Sequence, residues 1–97
     1  MRVTSAVVLM GGLLLAPAAV RAADAPPGAA ACSGCHAVNP AAETPVPKIN
    51  GRNAEETVAL MAAFRTGARP STVMNRIAKG FTEEETRDIA VWLASQK

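Results

Sequence analysis

Apolar positions gather in three stretches of the 97-residue chain, and the three differ in period. The first, residues 3–16, is mostly apolar and shows no period: Val7, Val8, Leu9 and Met10, then Leu13, Leu14 and Leu15, interrupted by Gly11-Gly12 and followed by Pro17. In the second, Val58, Met61, Ala62 and Arg65, with Leu60 and Phe64 alongside, recur at three- and four-residue steps and predict a helix. Asn53 is a good N-cap for it, Glu55 and Glu56 occupy the first turn where the helix dipole favours acids, and Gly67 and Pro70 stop it, so it should span 54–66. In the third, Ile89, Trp92 and Leu93 form the buried stripe of a last helix. Thr82 opens that helix as a capping box with Glu85, followed by Glu83, Glu84 and Asp88, and it should end near Ser95.

The remaining segments are read from their breakers. Residues 24–28, with Pro26-Pro27, form a short extended leader, and the Ala-rich residues 28–35 permit a brief helix. Residues 37–51 carry Pro40, Pro45 and Pro47, too many for a helix, and should form a loop. The fold class is therefore all-α: three to four short helices in one domain, with no repeats and no convincing strand.

The first apolar run has a different meaning. Met1-Arg2 supplies a positive start, the run is too short and too interrupted to span a bilayer comfortably, and Val20-Arg21-Ala22 offers small residues at a cleavage site. Residues 1–22 are thus expected to be a secretory signal peptide cut after Ala22, placing residues 23–97 in the periplasm with no stable membrane span. Retention as an anchor is the minority alternative. Export also alters the charge. The full chain is +2, but Arg2 and Arg21 leave with the signal, and all 8 acids stay, so eight bases face eight acids. A formally neutral chain gives no reason to expect nucleic-acid binding.

The chemistry is concentrated in Cys32-Ser33-Gly34-Cys35-His36. C-x-x-C-H is the attachment signature of a c-type haem: two thiols on one side of a helical turn add to the vinyl groups, and the next residue supplies an imidazole to the iron. A structural zinc site wants four ligands, and the whole chain has 2 Cys and 1 His. A thioredoxin-like pair belongs in a βαβ pattern that is absent here, and a disulfide across so short a loop removes little chain entropy.

Two consequences follow. A chain of about 75 residues with 2 Phe, 1 Trp and no Tyr has few large core side chains, and a haem held by thioethers and axial bonds would supply both volume and cross-link. Haem-free chain should be loosely folded or unfolded. The single His also excludes bis-histidine ligation, so the sixth ligand is Met, something weaker, or none. Met1 and Met10 leave with the signal, Met61 lies mid-helix where a Met is usually core filler, and Met74 lies between helices. Met74 is the preferred ligand, in a segment read as free of regular structure. His/Met ligation raises the iron potential and closes the site to substrates, which points to electron transfer.

With CSGCH, the segment Pro47-Lys48-Ile49-Asn50-Gly51 and a late Met before a terminal helix, residues 23–97 resemble a class I cytochrome c, a small fold of three to four helices around one covalent haem. The resemblance implies that the Pro47 carbonyl accepts a hydrogen bond from His36 Nδ1 and that Ile49 packs on the ring. Arg52, just after Gly51, is a candidate donor to a propionate, or an ordinary solvated side chain. More narrowly, residues 71–82 are similar to the Met-ligand region of the cytochrome subunits of flavocytochrome c sulfide dehydrogenase, which accept electrons from a sulfide-oxidising flavoprotein. Those subunits carry two C-x-x-C-H motifs in their best-known members and this chain carries one, so a monohaem protein is expected.

Between Thr57 and Thr82 lie Arg65, Arg69, Arg76 and Lys79 and no acid, a set able to steer an acidic redox partner towards the haem edge or simply to be solvated. By itself the chain is read as an electron-transfer protein, not an enzyme. The readings carried forward are a subunit of, or partner to, a sulfide-oxidising flavoprotein; a freely diffusing carrier; and a haem enzyme or sensor with an open sixth site.

Overall fold

A computed structural model of the chain describes Gly12 and residues 24–96, which contain four helices and no strand among them: α1 (Ala29–Cys32), α2 (Ala54–Thr66), α3 (Met74–Lys79) and α4 (Glu83–Ser95). The all-α expectation holds. The signal peptide and its cut after Ala22 lie outside the described residues, of which no helix is long and apolar enough to cross a membrane.

The two long helices begin and end where their caps dictate. Asn53 accepts the Glu56 backbone N–H, and Gly67 closes α2 in the left-handed region at φ 81°. Thr82 and Glu85 form the reciprocal capping box of α4. Helix α4 buries Thr86, Ile89, Ala90 and Leu93, while Trp92 stays half-buried. Thr86 is tolerated inside because its hydroxyl donates to the Thr82 carbonyl at 2.8 Å.

Helix α2 packs on both α3 and α4 yet buries no residue fully. Of its expected stripe, Val58, Leu60, Met61, Phe64 and Arg65 are half-buried and Ala62 is exposed. The core proper is formed instead by Ala29, Ile89 and Leu93, with Cys32, Ile49, Phe81 and Trp92 packed against it. Thus α1 docks on α4. The approach is close: Gly28, at φ 87°, lies against the Phe81 ring, and a Cβ placed there would come within 2.5 Å of Phe81 Cε1.

The segment around Met74 is not free of regular structure, as the sequence had implied; Met74 is the first residue of α3. Six residues are too few to show a helical period, and the N-cap residue Val73 makes no side-chain cap. The turn forms because Ser71 Oγ accepts the Asn75 N–H at 3.0 Å and because Ala78 is completely buried. Tertiary contact, not local pattern, makes this helix.

Candidate functional site

The site is assembled from the end of α1, the loop that follows, and the flank of α4. Helix α1 unwinds through turns after Cys32, with His36 N–H still bonded to the Cys32 carbonyl at 2.9 Å. Cys32, Cys35 and His36 therefore stay on one local turn. No disulfide joins the two cysteines; Cys32 is half-buried and Cys35 exposed. Burial pushes the Cys32 thiol above its usual range, partly offset by a backbone hydrogen bond.

The loop over residues 37–51 contains no helix, as its prolines require. Asn39 Oδ1 caps the Ala41 N–H at 2.9 Å, and Lys48 Nζ donates to the Pro40 carbonyl. The far end is pinned to α4 by the Gly51 N–H bonded to the Leu93 carbonyl at 2.9 Å. This arrangement carries the Pro47 carbonyl to 2.5 Å from His36 Nδ1. A carbonyl only accepts, so Nδ1 must bear the proton, and neutral His36 keeps its lone pair on Nε2. The loop thus fixes both the tautomer and the ring orientation of the single imidazole.

A cleft brings Cys32, His36, Val38, Ile49, Asn50 and Trp92 together. Pro47 is tied to this group through His36, whereas Met74 is not among the residues lining the cleft; it is half-buried at the start of α3. Arg52, just before the N-cap Asn53, pairs with Glu56 in the first turn of α2 at 3.2 Å, with both side chains substantially exposed. Asn50 and Val38 enter the cleft without any signal in the sequence beyond their proximity to the motif. Among the described residues, no group of three or more His, Cys, Asp or Glu side chains comes together as a metal site would require.

The four bases near Met74 separate into two kinds. Arg65 is half-buried and donates to the Ala78 and Phe81 carbonyls, so it is withdrawn from the proposed steering set. Arg76 and Lys79 are exposed, and Arg69 is exposed while lying over the Phe64 ring at 5.4 Å. An Arg on the apolar stripe of α2, where an aliphatic residue was due, is the signal for its inward role.

No family model matches the chain. It is 38% identical over 64 residues to the cytochrome subunit of sulfide dehydrogenase from Chlorobaculum tepidum, covering 66% of this chain and 58% of that protein. It is 32% identical over 65 residues to cytochrome c-552 from Acidithiobacillus ferridurans, covering 67% of this chain and 28% of that protein. The chain thus spans little more than half of the first relative and under a third of the second. These likenesses support a resemblance to the class I cytochromes c and imply a covalently bound haem c. The donor set suits that group: two cysteines on one turn with no disulfide between them and an imidazole held with Nε2 available.

Proposed function

We propose that the protein is a periplasmic monohaem c-type cytochrome that passes electrons, by itself an electron carrier and not an enzyme. Bound haem c supplies a one-electron ferric/ferrous couple. Cys32 and Cys35 would hold it by thioether links, and His36 Nε2 and Met74 would ligate its iron. The Pro47 carbonyl keeps His36 oriented and raises its basicity as a ligand, and Ile49, half-buried against the core, shields the site from water. Arg52 is the candidate donor to a propionate, in competition with Glu56. The observation that carries the reading is the His36–Pro47 hydrogen bond beside two unpaired cysteines of a C-x-x-C-H motif. Mass spectrometry of the exported protein should show one added haem on a chain beginning at residue 23. Free or disulfide-paired thiols there would refute the reading.

The proposed partner is a flavoprotein subunit that oxidises sulfide, supported by the 38% identical relative whose name assigns it to a sulfide dehydrogenase. Arg69, Arg76 and Lys79 supply the cationic surface for docking to an acidic patch. Size-exclusion chromatography with the flavoprotein tests this: co-elution supports a subunit, and separate elution with fast electron exchange supports a diffusing carrier. An open sixth site would be revealed by a ferric spectrum lacking the near-infrared charge-transfer band of a thioether ligand.

A further inference from the structure

Helix α3 has little of its own to hold it. It is six residues long, lacks a side-chain N-cap, exposes Arg76, Ile77 and Lys79, and fully buries only Ala78. A helix so short is marginal alone, and at its C-terminal end the Ile77 and Ala78 carbonyls accept from the backbone only the Gly80 N–H at 3.0 Å and, at 3.4 Å, the Phe81 N–H of the turn that follows. One guanidinium from the last turn of α2 reinforces this end from another helix. Arg65 Nε and Nη2 reach the Ala78 carbonyl at 3.4 and 3.2 Å, and Nη2 also donates to the Phe81 carbonyl. The charge sits at the negative end of the α3 dipole and spans the turn into α4. A planar fork serves two carbonyls at once, which a lysine ammonium cannot match in the same geometry.

We infer that Arg65 is the positioning residue that clamps the Met74-bearing helix and so sets how firmly the thioether is held at the iron; this rests on the reading of Met74 as axial ligand. Met74 begins α3 and Ala78 lies one turn later, so loosening the clamp frees the sulfur to leave.

The test compares wild-type holoprotein with Arg65→Met and Arg65→Lys. Imidazole is titrated against the ferric near-infrared band, and amide hydrogen exchange is followed at Ile77 and Ala78 in α3 and at Ile89 and Leu93 in α4. Hydrogen bonds from a charged donor have a strength that predicts about ten- to hundredfold tighter imidazole binding in Arg65→Met. Exchange in α3 should quicken by a similar factor while α4 is unchanged, and Arg65→Lys should fall between. Unchanged imidazole affinity in Arg65→Lys and Arg65→Met overturns the inference, as does exchange that quickens equally in both helices, the mark of general destabilisation. Should Arg65→Met fail to accumulate, Arg65→Lys decides the matter in the same titration. A wild-type spectrum without the band, or a band that survives Met74→Ala, overturns the ligand reading itself and this inference with it.

Discussion

Replacing Gly28 with alanine should unseat α1 from the core, and the cost can be divided into two parts. Gly28 sits at φ 87°, where an L side chain costs about 1–2 kcal/mol. The new methyl group would also lie 2.5 Å from Phe81 Cε1 and 3.2 Å from Cζ, so the ring must move off the Ala29–Ile89–Leu93 cluster. Overpacking of that kind costs about 1–3 kcal/mol. The sum, about 2–5 kcal/mol, is a large part of the 5–15 kcal/mol that holds a typical small domain together. Gly67→Ala is the internal control. Its φ is 81°, but nothing lies within 4 Å of the position a Cβ would take, so only the backbone part, about 1–2 kcal/mol, should appear. Denaturant melts of the two holoproteins measure both. A Phe81→Ala background should bring Gly28→Ala down towards the Gly67→Ala value, because the coupled part disappears. Equal costs for the two glycines in the native background would show that α1 does not dock on Phe81, and the account of how Cys32 is positioned would fail with it.

Other expectations are simpler. Met74→Ala should abolish the thioether band and lower the midpoint potential, while Met61→Ala should leave both in place; the reverse pattern would assign the ligand to α2. Thr82→Ala breaks the capping box and should destabilise the holoprotein by about 0.5–2 kcal/mol in a denaturant melt, without shifting the visible spectrum. Arg76→Glu should slow reduction by the redox partner, with the difference shrinking as salt is raised, in stopped-flow mixing; rates that ignore both charge and salt would remove docking from this face. Calorimetry of haem-free chain should show no cooperative transition, because the buried apolar side chains are few and small.

Much of this protein can be read along its length because much of it is local. The caps at Asn53 and Thr82, the stops at Gly67 and Pro70, and the proline-broken loop all depend on neighbours within four residues, and each lies where the pattern placed it. The pentapeptide from Cys32 to His36 is legible for the same reason: its chemistry needs spacing, which sequence records directly. The helix at Met74 was not legible, because a six-residue element made by a serine hydroxyl and one buried alanine leaves no period to detect. Arg65 was legible only in part: its place on the apolar stripe of α2 signalled an inward side chain, but its partners are backbone carbonyls that any residue would offer, and only the fold brought them to it. The contact of Gly28 with Phe81 joins positions 53 residues apart and had no local sign, whereas the approach of the Pro47 carbonyl to His36 was expected from the resemblance to class I cytochromes c and is found. Composition and spacing single out the groups proposed to carry the chemistry; the folded chain decided how tightly they are packed and held, because those contacts come from partners distant in sequence.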